Sequence, residues 1–229
     1  MLMHEFVVWA ALMLATTAIV MISAKKIGVE IIIGVYAVLS VIANIVAVKL
    51  ISVGGIIAPA GVIVYSVTFL LTDFLSEIYG KGVAGKAVAT GFIANIIYLI
   101  VISVVLLWSP APFMPPEFID SFNAVFNLAP RIVLASLIAF VISQTNDVYV
   151  FHYIRQKTGR RHLWIRNNVS TAISQFIDTA IFITIAFYGV APVLELIAGQ
   201  YVLKLIIALL DTPFLYITVK AMGFSSEKH

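Results

Sequence analysis

Residues 87–107 read AVATGFIANIIYLIVISVVLL, an apolar run without a single charged residue. The run is the centre of a longer apolar segment, 84–108. A helix needs about 20 such residues to cross the hydrocarbon core of a bilayer. We therefore expect this segment to be a membrane-spanning helix.

The whole chain has the composition of a membrane protein. Its 229 residues are 62% hydrophobic and 11% charged, with a mean hydropathy of +1.09. A soluble domain carries about a quarter charged residues, more than twice this share. The chain has no cysteine, which excludes a disulfide framework, a thiolate metal site and a cysteine nucleophile.

Six further segments have the length and apolarity of a spanning helix, roughly 6–24, 30–49, 56–79, 130–154, 168–190 and 196–222. The first lacks a basic flank and a cleavage site, so we expect a retained helix and not a signal peptide. Pro59 and Gly61 predict an irregular start to the third. The connection 109–129 holds four prolines and cannot be a continuous helix. The sequence predicts an all-α, polytopic transmembrane helix bundle in a single domain, 1–229.

Basic residues predict the orientation of the bundle. The positive-inside rule places the most basic stretch, 155–166, in the cytoplasm. With seven spans, eleven of the fourteen Lys and Arg residues are then cytoplasmic, the N-terminus is outside and the C-terminus is cytoplasmic. In a six-span alternative, the first segment lies on the membrane surface. We interpret the basic stretch as a topology signal, so no nucleic-acid partner is expected.

Six ionisable residues interrupt the apolar segments: Asp73, Glu77, Asp147, Asp178, Lys204 and Asp211. Each costs about 2.5–3.5 kcal/mol near the centre of a membrane helix, which is hard to explain without pairing, hydration or a ligand. Asp73 and Glu77 are four residues apart and so share one helix face. In two further pairs, Gln144 with Asp147 and Gln175 with Asp178, the glutamine and the aspartate are three residues apart. The spacing therefore predicts a polar cavity inside the bundle.

The two Gln–Asp pairs belong to near-copies of one motif. Ser143-Gln144-x-x-Asp147-x-x-x-Phe151 recurs as Ser174-Gln175-x-x-Asp178-x-x-x-Phe182. The copies lie on consecutive segments that cross the membrane in opposite directions. Antiparallel copies of a polar motif suit a binding site at a repeat interface near the midplane. Chance convergence on one helix face is the alternative.

Structural roles compete with binding roles for several of these residues. Lys204 alone could neutralise one aspartate as a structural ion pair, and Asn44 could join two helices by a hydrogen bond. The chain has no Gly-x-Ser-x-Gly, His-Glu-x-x-His or P-loop motif. We therefore expect a protein that is not an enzyme and uses no cofactor. An intramembrane hydrolase and a structural scaffold are the alternatives from other classes.

Taken together, the polar motifs resemble those of the queuosine precursor transporters, also called the vitamin uptake transporter family. The resemblance runs from Asn44 to Met222 and rests on these residues: Asn44 with Lys49, Asp73-x-x-x-Glu77-Ile78-Tyr79-Gly80, Gln144-x-x-Asp147-Val148-x-Val150-Phe151, Trp164-x-Arg166-Asn167-Asn168-x-Ser170-Thr171, Gln175-x-x-Asp178-Thr179, and Lys204 with Asp211-Thr212-Pro213.

The resemblance implies an inner-membrane importer of 7-deazaguanine bases for the salvage of modified tRNA nucleosides. The expected substrates are 7-cyano-7-deazaguanine and 7-aminomethyl-7-deazaguanine. It also implies a six-helix core, about 30–222, similar to the substrate-binding subunits of energy-coupling-factor transporters, with segment 6–24 as an extra N-terminal helix. A substrate-capture subunit that works with a separate ATP-driven module is the alternative. A homodimer is the expected oligomer, and the lipid bilayer the expected surroundings.

The expected substrate-binding residues are those of the motifs: Asn44, Asp73, Glu77, Gln144, Asp147, Phe151, Gln175, Asp178, Lys204 and Asp211. A guanine-like edge offers N–H donors that a carboxylate accepts, and amides can donate to its other atoms. We expect Asp147 or Asp178 to bind that edge. Aromatic side chains near the motifs, Phe151, Phe182, Tyr149 and Phe176, could sandwich the base.

Overall fold

The structure is a computed structural model that describes residues 3–158 and 163–221. Within 144–171 and 210–221 it describes the side chains of only some residues. Four of the predicted site residues lie outside the described side chains, namely Gln144, Asp147, Phe151 and Asp211. Their places along two of the long helices follow from the bounds of those helices.

The described part of the chain is a bundle of long helices into which one short β-hairpin is inserted. Each of the seven predicted segments contains one long helix. The elements are α1 (Met3–Ile27), α2 (Glu30–Val46), β1 (Leu50–Val53), β2 (Ile56–Pro59), α3 (Gly61–Tyr79), α4 (Lys81–Leu107), α5 (Pro116–Phe126), α6 (Ala129–Thr158), α7 (Leu163–Phe187) and α8 (Val193–Ala221).

Several of these helices can cross a membrane by length and composition. Among the described residues, four stretches qualify, namely His4–Ile27, Gly61–Tyr79, Lys81–Leu107 and Pro116–Ser143, which takes in α5 and the first half of α6. Two shorter helices, Glu30–Val46 and Ala172–Phe187, are also apolar. The bundle is thus a multi-span architecture, and the count of seven spans stays a prediction.

The β-hairpin is the main difference from the all-α prediction. Helix α2 ends at Val46, and the two strands pair antiparallel with Val53 opposite Ile56. The turn is Gly54-Gly55, with φ angles of +57° and +87°. Glycine adopts these angles without penalty, and two-residue turns of this kind match the twist of paired strands. The predicted irregular start of the third segment is confirmed.

Close backbone packing fixes the hairpin in the bundle. A Cβ at Gly199 of α8 would overlap the carbonyl oxygen of Ile57, so the glycine lets β2 lie directly against the helix. Val53 and Ala58 are fully buried against α8, where Leu203 completes the contact. We call this end of the bundle, where α2 and α7 end and α3, α6 and α8 begin, the hairpin end.

The proline-rich connection contains one further helix, α5, which the sequence did not predict. Pro116 occupies its first turn, where a missing N–H does no harm. Its apolar residues fall on one face, and none of its residues is buried. Helix α5 therefore covers the hairpin end without joining the core.

Candidate functional site

A buried ion pair lies near the middle of the bundle. Lys204 Nζ on α8 is 2.6 Å from Asp178 Oδ2 on α7, and both side chains are at least nine-tenths buried. The two residues lie nine to eleven residues, about 13–16 Å, from the hairpin end of their helices. That distance is about half of a hydrocarbon core about 30 Å thick. Each charge offsets the burial of the other, so the pair can persist there.

The second oxygen of Asp178 is only weakly engaged. Ser143 Oγ donates to Asp178 Oδ1 over 3.4 Å, which is longer than the usual 2.5–3.0 Å of such bonds. Ser143 opens the first copy of the repeated motif and Asp178 belongs to the second, so the copies face each other across α6 and α7. On the other side, Lys204 Nζ lies 5.3 Å from the ring centre of Tyr65, a cation–π contact.

A small cavity of about 30 Å³ adjoins the ion pair. Five helices and the hairpin contribute to its wall, which is apolar except for a few polar side chains. The lining residues are Ala43, Asn44, Ala47, Pro59, Gly61, Val62, Tyr65, Ser136, Ala139, Asp178, Phe182 and Gln200. An apolar wall with a few convergent polar groups is the usual character of a small-molecule site.

Asn44 is held in the cavity wall by a buried hydrogen-bond chain between α2 and α4. Its Nδ2 donates to Asn95 Oδ1 over 2.6 Å. Asn95 Nδ2 in turn donates to Ser40 Oγ over 2.7 Å and to the carbonyl of Gly91 over 2.9 Å. Both Asn95 donors point away from Asn44, so Asn95 can only accept from it. The bond to Asn95 uses one N–H of Nδ2 and leaves Asn44 Oδ1 and the second N–H available to the cavity.

Gln200 supplies the polar group from α8. It is 4% exposed, and its Oε1 has no hydrogen-bond partner among the described residues. A buried polar atom without a partner destabilises a protein by about 1–3 kcal/mol and calls for an explanation. The position of Gln200 in the wall of the cavity suggests one, since a bound molecule can supply the missing donor.

The structure brings together some of the predicted site residues. Asn44 and Asp178 line the cavity, and Lys204 is paired with Asp178 behind the wall. Asn44 also joins two helices, so its two proposed roles coexist. Of the predicted aromatic residues, Phe182 lines the cavity. Phe176 is half exposed and makes an edge-to-face contact with Tyr201, away from the lining.

Other predicted site residues lie outside the cavity wall. Asp73 and Glu77 share one face of α3, as their spacing predicts, but both side chains are exposed. Gln175 is one α-helical turn before Asp178. Its Oε1 is buried without a partner among the described residues, yet it does not reach the lining.

Sequence reasoning missed three polar residues of the wall: Tyr65, Ser136 and Gln200. A signal existed for Gln200, because it precedes Lys204 by four residues and so shares its face of α8. Tyr65 and Ser136 carry no such signal. Tyrosine and serine are common in membrane helices, and only the packing of α3 against α8 brings Tyr65 to Lys204.

Comparison with known proteins places the chain in a family. Residues 59–218 match the family described as "Putative vitamin uptake transporter". The matched range includes the hairpin's last residue and every residue of the cavity wall from Pro59 onward. It leaves out α1 and α2. No solved structure matches the chain.

Three curated bacterial proteins are similar over much of the chain. The "Probable queuosine precursor transporter" of Bacillus subtilis is 38% identical over 79% of this chain and 80% of its own length. The protein of the same name from Haemophilus influenzae is 35% identical over 56% of this chain and 51% of its own length. The "Queuosine precursor transporter" of Escherichia coli is 29% identical over 60% of this chain and 59% of its own length.

The resemblance seen in the motifs is therefore confirmed. The family consists of transporters and not enzymes, and its membership together with the apolar helices makes this chain a multi-pass membrane protein. The chain belongs to the vitamin uptake transporter family, together with the queuosine precursor transporters of these three bacteria.

Proposed function

We propose that this protein imports queuosine precursor bases, 7-cyano-7-deazaguanine and 7-aminomethyl-7-deazaguanine, across the cell membrane. The observation that carries the proposal is the cavity beside the buried Asp178–Lys204 ion pair. The printed names of its relatives agree with this substrate class. Small-molecule sites at the midplane between helices are typical of secondary transporters.

Asp178 is the group best suited to the donor edge of the base. Its Oδ2 is paired with Lys204, while Oδ1 retains only the weak bond from Ser143. An ionised carboxylate oxygen is a strong acceptor for a ring N–H. Phe182 in the same wall offers an aromatic surface for the flat base.

The cavity must widen before a base can occupy it. A volume of about 30 Å³ holds about two water molecules, whereas pockets for small molecules measure roughly 300–1,000 Å³. The described conformation is thus a contracted state of the transport cycle. In alternating access, helices around the cavity rock apart towards one side of the membrane at a time.

We extend the proposal to the architecture and orientation of the chain. Residues 1–229 form one membrane domain, with a six-helix core, about 30–222, similar to energy-coupling-factor substrate-binding subunits. Helix α1 is the extra N-terminal helix. The N-terminus and the hairpin end face outward, the C-terminus is cytoplasmic, and the chain forms a homodimer.

The predicted residues outside the cavity wall retain proposed roles in the opened state. Asp73, Glu77 and Gln175 lie on helices that contribute to the wall, so rocking of those helices could expose them to the substrate path. Gln144, Asp147, Phe151 and Asp211 remain substrate-binding proposals from the motifs. Protons carried by one of the carboxylates would drive import.

Uptake of radiolabelled 7-cyano-7-deazaguanine tests the proposal in cells that lack their own importer. Wild-type chain expressed alone should accumulate the base. Asp178→Asn should reduce uptake to the level of cells without the chain, because the amide neither pairs with Lys204 as an anion nor accepts as strongly. Asp120→Asn, the same change at an exposed position on α5, should leave uptake intact.

Each contrary outcome has a distinct meaning. Full uptake by Asp178→Asn would remove Asp178 from the site. Binding of the base by purified wild type without uptake would favour the capture subunit that depends on an ATP-driven module. Neither uptake nor binding of any deazaguanine would overturn the proposed function.

A further inference from the structure

The cavity wall presents hydrogen-bond acceptors that the described residues leave free or only weakly bound. Carboxylate and amide carbonyl oxygens can only accept, whereas the hydroxyls of Tyr65 and Ser136 can adjust to either role. Three acceptors face the cavity or adjoin it without a strong partner. They are Asp178 Oδ1, Asn44 Oδ1 and Gln200 Oε1.

The orientation of the Asn44 amide follows from its neighbours. The donors of Asn95 are used by Ser40 and Gly91, so a flipped Asn44 would place two carbonyl oxygens against each other. Asn44 therefore presents an acceptor to the cavity, and Asn95 acts as a positioning residue. Gln200 is not fixed in this way, but its Oε1 is buried without a partner among the described residues.

These acceptors lie close to one another. They come from α2, α7 and α8, yet they border a cavity of only about 30 Å³. When the cavity widens around a base, one polar edge of that base can meet all of them. The molecule that fits must bring several N–H donors on one edge, because each buried acceptor left unpaired weakens binding.

Resting on the proposed function, we propose that Asn44 and Gln200 are specificity-determining residues that bind the exocyclic amine of the base. The donor edge of a guanine-type base carries a ring N–H beside an amino group, which makes three N–H bonds. Asp178 Oδ1 accepts the ring N–H. Asn44 Oδ1 and Gln200 Oε1 accept the two amine hydrogens, so the number of acceptors equals the number of donors.

The proposal predicts which bases the site rejects. A base without the exocyclic amine leaves the two amide oxygens unpaired in a buried wall. Sites built to hydrogen-bond a substrate group reject analogues that lack it, because their own polar atoms are then stranded. The transporter should thus distinguish 2-amino bases from otherwise identical bases, whatever substituent they carry at position 7.

The test compares the binding of two ligands to purified full-length protein in detergent. The ligands are 7-cyano-7-deazaguanine and 7-cyano-7-deazahypoxanthine, which lacks only the amine. Wild type should prefer the first by roughly tenfold or more in Kd. Gln200→Met, which keeps the length of the side chain but not its amide, should bind the two within about twofold, chiefly through weaker binding of the amino ligand.

Two further variants are controls: one keeps an acceptor oxygen at position 200, and the other removes a buried oxygen outside the cavity wall. Gln200→Glu keeps an acceptor oxygen and should keep the preference. Thr179→Val removes another buried oxygen without a described partner, next to Asp178 but outside the lining, and should behave as wild type. Size-exclusion profiles establish that each variant is folded.

The outcomes separate this inference from the proposed function. If wild type binds both ligands equally, or if Gln200→Met keeps the preference, the amine assignment is wrong although the import function stands. If Gln200→Glu loses the preference for the 2-amino base, Gln200 donates to the ligand, and this outcome also overturns the amine assignment. Failure of wild type to bind any deazaguanine overturns both.

Discussion

At the scale of single residues, Asp178 has two roles that the sequence could not assign together. The motifs placed an aspartate and a lysine in neighbouring apolar segments but left open which carboxylate would pair with Lys204. In the structure Asp178 makes that pair with one oxygen and borders the cavity with the other. A buried pair of this kind need not stabilise the fold, but removing one partner strands the other charge.

We expect Lys204→Met to destabilise the protein by roughly 3–5 kcal/mol, because Asp178 then loses its counter-ion at mid-membrane depth. The double variant Lys204→Met with Asp178→Asn removes both charges and should recover much of that loss, while ligand binding stays absent. Unfolding of purified protein in a series of detergent–denaturant mixtures measures both effects. A double variant no more stable than the single one would contradict the ion-pair account.

Asn95→Leu should weaken binding of the 2-amino base more than binding of its deamino analogue. Without the Asn95 acceptor, the amide of Asn44 is free to rotate and to present a donor to the cavity. Asn95→Asp retains an oxygen facing Asn44 and should retain the preference. Competition binding with the two bases measures the ratio. Equal loss of both affinities in Asn95→Leu would indicate a purely structural role.

Residue spacing reveals a shared helix face but not the neighbour that the face meets. Asp73 and Glu77 share a face of α3, as predicted, yet that face is exposed and not part of the wall. Gln200 shares a face with Lys204 and does reach the wall. The difference depends on how helices pack against one another, which no pattern within one helix contains.

At the scale of secondary-structure elements, the hairpin is the part least visible in the sequence. Residues 50–59 are nearly all apolar, and Ser52 and Gly54-Gly55 are the exceptions. Short apolar runs do not distinguish a strand from a buried helix by periodicity. The long helices, in contrast, follow directly from apolar length, and each predicted segment contains one. The sequence did not predict helix α5 because four prolines precede or begin it.

Gly199→Ala should disturb the junction between the hairpin and α8. The added methyl group would overlap the carbonyl oxygen of Ile57, which is backbone and cannot move alone. Overpacking of this kind destabilises by roughly 1–3 kcal/mol. Gly85→Ala on α4 is the matched control, because nothing lies within 4 Å of its added methyl group and alanine is the better helix former. Thermal unfolding in detergent compares the two.

A lower melting temperature for Gly199→Ala than for Gly85→Ala is the expected order. The reverse order would mean that the hairpin does not pack against α8 as described. Uptake by Gly199→Ala adds a second measurement, since a displaced hairpin also displaces Pro59 from the cavity wall.

At the scale of the whole molecule, charge distribution predicts which side of the membrane each end faces. The absence of native cysteine allows a direct test, because any introduced thiol is the sole reactive one. Asn127→Cys lies at the hairpin end and Lys81→Cys at the opposite end, and both positions are exposed. A membrane-impermeant maleimide should label Asn127→Cys in intact cells and Lys81→Cys only after permeabilisation. The opposite pattern would invert the proposed orientation.

The small volume of the cavity also affects the cell that carries this protein. Protons cross membranes rapidly along continuous files of hydrogen-bonded water, and about two water molecules between the hairpin and the ion pair are too few to form such a file. For the importer proposed above, we infer that an idle carrier in this conformation preserves the electrical insulation of the bilayer. The contraction that would oblige the helices to part for each substrate would then also let the cell keep many copies without discharging its membrane potential.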